Sequence, residues 1–330
     1  MFAADSDQFQ NYMATRALQL GPLVEYEAER VRKRLPYKIP KGYRPWKAIA
    51  AEVGATLATV TTHFPKTAGD NYYSLLQGLW LATRSPLYAI KRDLLRAFEL
   101  SDVAADKGLL MDINPPLPTF MLLLPQNALK TPDGTTIDNL TVHLADKAQP
   151  ERSLATENGT VYGMDLDKLP NRHTLMWAAL DSRGIIWHSR SGVTEQGTLE
   201  NNFENSQGDL ALSSEDVTFM KKVDAILCQV LLALTYRPDL LGEEAIATKE
   251  KPKGFGAAGE PRSPVLRPRW LGQTFKLPSG SPAPTNPGEP RSHNSPMAHW
   301  RRGHWRRVPV GPKDQGGRKW AFIQPTFVNG

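Results

Sequence analysis

The chain has 330 residues, of which 40% are hydrophobic and 22% are charged. This composition excludes wholesale disorder and predicts a buried core. The single cysteine, Cys228, excludes a disulfide scaffold and a four-thiolate metal site, and it fits the cytosol. The start, MFAADSDQFQ, has no basic region followed by an apolar run, and every apolar run is far shorter than the ~20 residues of a membrane helix. We therefore expect a cytoplasmic protein without membrane contact.

The net charge of +6 is unevenly distributed along the chain. Residues 249–330 contain 15 Lys and Arg against 4 Asp and Glu, a balance of +11, whereas residues 1–248 have a balance of −5. Aromatic residues are interleaved with the arginines of the cationic end. This pattern predicts contact with a polyanion, most simply nucleic acid, and the alternative is a solvated charged tail.

Residues 1–110 are predicted to form a helical region. Alternating charges over residues 24–35 are typical of an exposed helix face, which Pro36 ends. Further helices are predicted over residues 46–53 and 71–83. Ser85-Pro86 has the form of a cap followed by a first-turn proline, so a helix is expected from there to Leu100.

Residues 111–242 are predicted to form an α+β core. The apolar run over residues 119–125 predicts a buried strand, and residues 139–144 predict the next. Residues 175–188 predict a hairpin with its turn at 181–184, and residues 189–213 a long polar loop. Residues 214–236 predict an amphipathic helix. The fold class is therefore α+β, with a helical N-terminal region and a small mixed or antiparallel central sheet that packs on the amphipathic helix.

Residues 243–296 are predicted to be a basic linker rich in Pro and Gly, with a brief ordered element around Trp270. The linker contains Gly254-Phe-Gly256-Ala-Ala-Gly259, which matches a dinucleotide-binding pattern. It follows a charged, Pro-containing segment instead of a strand and runs into Glu260-Pro261, so we interpret it as flexible linker and expect no cofactor. Residues 297–330 form a basic segment that ends in a predicted strand over residues 320–328.

Residues 46–64 contain a pattern similar to a helix-turn-helix, with Gly54 in the turn. The recognition stretch at residues 56–62 has no Arg, Lys, Asn or Gln to read base edges. A packed helical hairpin is therefore the favoured interpretation, and a DNA-binding regulator is the alternative.

Residues 299–307, His-Trp-Arg-Arg-Gly-His-Trp-Arg-Arg, contain four arginines, two histidines and two tryptophans and are the main candidate for ligand binding. Arginine forks bind phosphate, and tryptophan faces stack on bases. The alternative is structural, with Trp300 and Trp305 in a mini-core and the arginines neutralising acidic residues. The predicted nucleic-acid contacts are Arg301, Arg302, Trp305, Arg306, Arg307 and Lys319.

Histidines in this segment allow a second chemistry. His299 and His304 are candidate general base and acid for metal-free RNA cleavage, which gives a ribonuclease as a further alternative. His293, His299 and His304 make an improbable zinc site, because no Cys or carboxylate lies near them in the sequence. We expect no metal, and we favour a protein that is not an enzyme.

The string Pro296-Met-Ala-His-Trp-Arg-Arg-Gly-His-Trp-Arg, followed after a spacer by Lys319-Trp-Ala-Phe-Ile-Gln-Pro-Thr-Phe-Val-Asn, resembles the C-terminal signature of a family of phage and plasmid proteins. That family includes an anti-CRISPR protein directed against type V-A (Cas12a-type) effectors. The resemblance is sharp over residues 296–329 and loose over residues 117–240. It implies a cytosolic protein that recognises the nascent N-terminal peptide of a host CRISPR effector and lowers effector mRNA. The implied partners are therefore a nascent polypeptide or effector, and RNA or the ribosome.

Overall fold

The computed structural model describes residues 7–35, 37–61, 68–102, 110–111, 113–157, 160–163, 166, 169, 171–194, 199–201, 212–244, 268–277, 299–310 and 317–328. Across these ranges, the helices all lack the combination of length and apolarity that crossing a membrane requires.

Five α-helices lie in the described residues. They are α1 Asp7–Arg34, α2 Trp46–Thr61, α3 Ala68–Ala82, α4 Arg92–Glu99 and α5 Ser214–Tyr236. The predicted amphipathic helix is confirmed as α5. Its first turn is fixed by a capping box, because Ser213 Oγ accepts a hydrogen bond from the backbone of Asp216 and the Asp216 carboxylate accepts one from the backbone of Ser213.

An eight-stranded sheet, here called the main sheet, forms the centre of the structure. Its strands are, in spatial order, β11 Leu199–Asn201, β10 Ile186–Val193, β9 His173–Leu180, β6 Asn139–Asp146, β3 Thr119–Leu123, β1 Leu87–Ile90, β13 Arg269–Leu271 and β12 Leu241–Glu244. Strand β1 is parallel to both β3 and β13, and the other neighbours are antiparallel. The α+β class and the mixed sheet are therefore confirmed, as is the β9/β10 hairpin.

Smaller strand pairs surround the main sheet. They are β4 Leu129–Lys130 with β5 Thr136–Ile137, β7 Leu154–Glu157 with β8 Thr160–Gly163, β14 His299–Arg301 with β17 Thr326–Val328, and the three-stranded group β2 Ser101–Asp102, β15 Gly303–Val310 and β16 Gly317–Ile323. The predicted terminal strand is thus divided into β16 and β17. The ordered element expected around Trp270 is β13, and the glycine pattern at residues 254–259 lies outside the described residues.

Helices cover both faces of the main sheet. Alternate residues of β3 point to opposite sides: Phe120 belongs to a core cluster with α5, and Met121 belongs to a second cluster with α2. Helix α3 packs on Met176 and Ala178 of β9. Because both faces are covered, all five residues of β3 are buried, which is why this strand appears in the sequence as an uninterrupted apolar run.

Two local predictions are wrong. The helix expected from Ser85 to Leu100 is a strand, β1, followed by the short helix α4, because all four residues of β1 are buried between β3 and β13 and this burial overrides the local capping signal. The loop expected at residues 189–213 begins with the second half of β10 and contains β11. Ser191 is buried within β10, where its hydroxyl donates to the Asp224 carboxylate at 2.5 Å.

The helix-turn-helix interpretation and the helical hairpin favoured over it are also wrong. Helix α2 continues through Gly54 without a turn. A Cβ added at Gly54 would lie 2.5 Å from the backbone nitrogen of Ala28 in α1. Gly54 therefore permits close packing of α1 against α2, and the turn that a DNA-reading motif needs is missing from residues 46–61.

Candidate functional site

The segment predicted to bind nucleic acid forms part of a folded unit, here called the C-terminal module, which comprises residues 299–310 and 317–328. Its inner face contains Trp305, Trp320 and Phe322, all buried. The Trp305 indole donates to the side-chain oxygen of Gln229 on α5, and the Phe322 ring lies 5.7 Å from that of Phe98 on α4, measured between ring centroids. The module is therefore anchored to the main body through α4 and α5.

This packing corrects the role expected for Trp305. The side chain has no exposed surface, so its ring does not stack on a base. Trp300 is half-buried and packs edge-to-face on Phe327, with ring centroids 5.3 Å apart. The mini-core alternative is thus correct for Trp305, which packs with Trp320 and Phe322 of β16.

Gly303 permits close packing of β15 against β2. A Cβ at this position would clash with Ser101 Oγ and lie 2.8 Å from Cδ of Pro325. The glycine lets β15 lie beside β2, with Gly303 opposite Ser101 and His304 opposite Asp102. Its role is therefore to dock the module on the end of α4.

The outer face of the module carries exposed positive charge. Because side chains alternate along a strand, Arg306 points away from the face that Trp305 occupies. In the β15/β16 register Arg306 faces Ala321 and Val308 faces Lys319, so Arg306 and Lys319 are diagonal neighbours on one face. Both are exposed, as is Arg301 on β14.

Acidic residues neutralise only part of this charge. Arg302 pairs with Asp102 at 2.6 Å, with both side chains at least half exposed, and the Arg307 guanidinium lies 4.9 Å from the centroid of the Trp320 ring. Within the described ranges, no carboxylate forms a salt bridge with Arg301, Arg306 or Lys319. The charge of Lys319 contributes to lowering the pKa of Asp239, although the main cause is the hydrogen bond from Arg237. The exposed outer face therefore remains cationic.

The two candidate catalytic histidines lie on different strands. His299 begins β14 and pairs with Val328, and His304 lies in β15 opposite Ile323 and is half-buried. His293 lies outside the described residues. In the parts of the chain that the structure does describe, no group of three His, Cys, Asp or Glu side chains is arranged to hold a metal ion.

A cleft of about 800 Å³ between α1 and α2 was not predicted from the sequence. Its walls include Ala28, Ala51 and the rings of Tyr37 and Trp46, and Glu25 and Lys47 lie among its charged lining residues. The Trp46 side chain is more than nine-tenths buried, and within the described residues its indole N–H has no hydrogen-bond acceptor. The cleft thus combines apolar walls with charged side chains.

Two buried carboxylates that the sequence analysis did not single out attach helices to the main sheet. Glu52 of α2 accepts hydrogen bonds from Arg44, Tyr73 and Asn139 of β6, and burial raises its pKa despite these partners. Asp224 of α5 accepts from Trp177 and Ser191, and burial raises its pKa to about 6. The sequence contains a sign that both acids are buried, because each one lies within an apolar segment of a helix.

Comparison with known proteins gives one family. No curated protein matches the chain. A solved structure described as the crystal structure of AcrVA2 aligns with 95% of this chain and 96% of its own at 12% identity, with a TM-score of 0.34. The model of the AcrVA2-like family, described as the anti-CRISPR type V subtype A2 family, matches residues 88–330, which include the main sheet, α5 and the C-terminal module. The chain therefore belongs to the anti-CRISPR type V subtype A2 family.

Proposed function

We propose that this protein recognises the nascent N-terminal peptide of a type V-A effector during translation and lowers the level of the effector mRNA, with the C-terminal module contacting RNA or the ribosome. Membership of an anti-CRISPR family implies a host CRISPR effector as the general partner. The observation that carries the RNA part of the proposal is the exposed pair Arg306 and Lys319 on one face of β15 and β16, with Arg301 also exposed on β14.

The geometry of the module supports phosphate contact over base stacking. The rings of Trp305 and Trp320 are buried, whereas Arg306 and Lys319 reach solvent beside each other. Arginine and lysine contacts to phosphate carry little sequence information and depend strongly on salt. We therefore propose that the module binds the phosphate backbone of the RNA. Recognition of the nascent peptide then determines which mRNA is affected.

The cleft between α1 and α2 is the proposed peptide site. Its apolar walls suit side chains of an extended segment. Glu25 is exposed at this cleft and is available to a positively charged group of the peptide.

The RNA part is tested with Arg306→Gln combined with Lys319→Gln, in cells that express the effector. We expect loss of RNA binding in vitro and recovery of effector mRNA in the cells. The control is Lys147→Gln with Lys221→Gln, which removes the same charge from two exposed positions outside the module. Asp102→Asn should strengthen RNA binding, because it frees Arg302 from its carboxylate partner. Unchanged mRNA loss in the first variant would contradict the proposal.

The peptide part is tested by purifying the protein from translating cells and identifying the nascent chains that accompany it. Ala51→Arg places a long side chain in the cleft from an exposed position, and it should abolish recovery of nascent effector. Ala148→Arg is the control on a distant exposed position. Recovery of the same chains with Ala51→Arg would exclude the cleft as the peptide site.

His304→Ala tests the ribonuclease alternative. If the protein cleaves RNA with His304, the effector mRNA should no longer be lost in cells that carry this variant.

A further inference from the structure

The carboxyl ends of the three parallel strands form a second basic surface. Because β1, β3 and β13 run in the same direction, the residues that follow them meet at one edge of the main sheet. Lys91 and Arg92 follow β1, and Gln126 follows β3. The loop that contains Lys41 reaches the same edge, since the backbone N–H of Gln126 donates to the carbonyl of Gly42 at 2.9 Å.

Contacts with neighbouring groups hold Lys91 and Arg92 in place. The Arg92 guanidinium donates to the backbone carbonyl of Gln126 at 3.1 Å. The Lys91 ammonium lies 4.0 Å from the centroid of the Trp270 ring, which itself packs edge-to-face on Tyr43 with 5.5 Å between ring centroids. Lys91 and Arg92 are therefore held in position, and together with the exposed Lys41 of the adjoining loop they form a group here called the strand-edge patch.

Little negative charge opposes the strand-edge patch. In the described part of the chain, none of its three cations forms a salt bridge with a carboxylate. Asp93 is exposed beside Arg92 in the sequence, and Asp138 lies near Arg44, whose charge opposes the rise in the Asp138 pKa that burial causes. The exposed side chains of Lys41 and Arg92 thus have unsatisfied donors that suit an anionic ligand.

We propose that the strand-edge patch binds phosphate groups of the same RNA strand that the C-terminal module contacts. The inference rests on the proposed function, because it extends that RNA surface. The patch lies at the N-terminal end of α4, and β2, which pairs with β15, follows the C-terminal end. Eight helical residues span about 12 Å, which corresponds to roughly three or four nucleotides of a stacked strand.

Exposed arginines along α4 support one continuous path. Arg92 and Arg96 are separated by four residues, so they lie on the same face of the helix one turn apart. Arg96 pairs with Glu99 at 3.1 Å, and Glu99 also pairs with Lys222 at 2.9 Å, so these three side chains together carry one positive charge, beside the exposed Asp93 of the same helix. A strand that crosses α4 would therefore meet the strand-edge patch at the N-terminal end of the helix and Arg302, paired with Asp102, beyond the C-terminal end.

The test compares the full-length chain with Lys41→Gln combined with Arg92→Gln. Binding of a fluorescein-labelled 20-nucleotide single-stranded RNA is followed by fluorescence anisotropy between 50 and 200 mM salt. We expect the affinity at 100 mM salt to fall by about tenfold and the slope of log affinity against log salt to decrease by about 1.4, which is the change expected for two lost phosphate contacts. Lys147→Gln with Lys221→Gln removes equal charge elsewhere and should change neither quantity.

The outcomes separate this inference from the proposed function. If the strand-edge variant binds like the parent while Arg306→Gln with Lys319→Gln loses binding, the strand-edge patch is excluded and the proposed function remains. If only the strand-edge variant loses binding, the patch binds RNA without the module, which overturns the shared strand and contradicts the RNA role of the module. A parent protein that does not bind the RNA at 50 mM salt overturns both. Thermal unfolding checks each variant, and Lys41→Gln alone, expected to reduce the slope by about 0.7, replaces any double variant that unfolds early.

Discussion

Trp305 in β15 donates its indole N–H to the side-chain oxygen of Gln229 in α5, with 2.5 Å between the two atoms. Both side chains are fully buried, although the residues are 76 positions apart in the sequence. An unpaired donor or acceptor at such a depth would be unfavourable, so the bond fixes one arrangement of the module on the helix. The cationic face is consequently held by the same core that contains the main sheet.

Trp305→Ala is expected to destabilise the whole protein. Removal of a buried tryptophan costs about 3–5 kcal/mol, and the variant also leaves Gln229 without its donor. Trp300→Ala is the matched control, because that ring is only half-buried and should cost much less. Urea unfolding followed by circular dichroism measures both. Equal losses for the two variants would show that the module is not anchored through Trp305.

The elements predicted correctly from the sequence are those fixed by local chemistry. The β9/β10 hairpin follows from its turn at residues 181–184, and α5 follows from its acidic first turn and apolar face. Strand β1 could not be predicted in this way. Its partner β13 lies about 180 residues further along the chain, and only the covered sheet makes the strand favourable at a position where Ser85-Pro86 resembles a helix start.

The sequence predicts which residues belong to the candidate site, but it does not predict which side chains face the solvent. The alternation of Trp305 and Arg306 places them on opposite faces of a strand, yet the sequence does not say which face meets α5. Stacking of Trp305 on RNA was therefore expected, and the buried indole shows the opposite. The strand-edge patch was missed for a related reason, since Lys41 and Arg92 become neighbours only through Gln126.

Gly54→Ala tests the close contact between α1 and α2. The added methyl group would lie 2.5 Å from the Ala28 backbone, so the helices must separate, and overpacking of this kind costs about 1–3 kcal/mol. Gly21→Ala in α1 is the control, because nothing lies within 4 Å of its Cβ position and alanine favours the helix by about 0.5–1 kcal/mol. Thermal melts should therefore shift in opposite directions. A stabilised Gly54→Ala variant would contradict the observed packing.

Acid should weaken the protein through His143, a fully buried residue of β6. Its ring nitrogens lie 2.7 Å from Thr119 Oγ1 and 3.2 Å from Ser153 Oγ, and burial, with a smaller effect of Arg152, lowers its pKa to about 3. The unfolded chain binds this proton near pH 6.5. Below pH 6.5 the unfolded state therefore binds a proton that the folded state does not, and the free energy of unfolding falls by about 1.6 kcal/mol between pH 6.5 and 5.

His143→Gln removes that titration, so its free energy of unfolding relative to the parent should improve by about 2 kcal/mol when the pH changes from 7.5 to 5. The pKa of Asp224 is raised to about 6, so this residue increases the free energy of unfolding as the pH falls. Asp224 is present in both proteins, and its contribution cancels in the difference. Ser153→Ala is the control, because it retains the imidazole and should differ from the parent by a constant amount. Urea unfolding at both pH values gives the differences. A pH-independent difference for His143→Gln would mean that the buried imidazole does not control acid sensitivity.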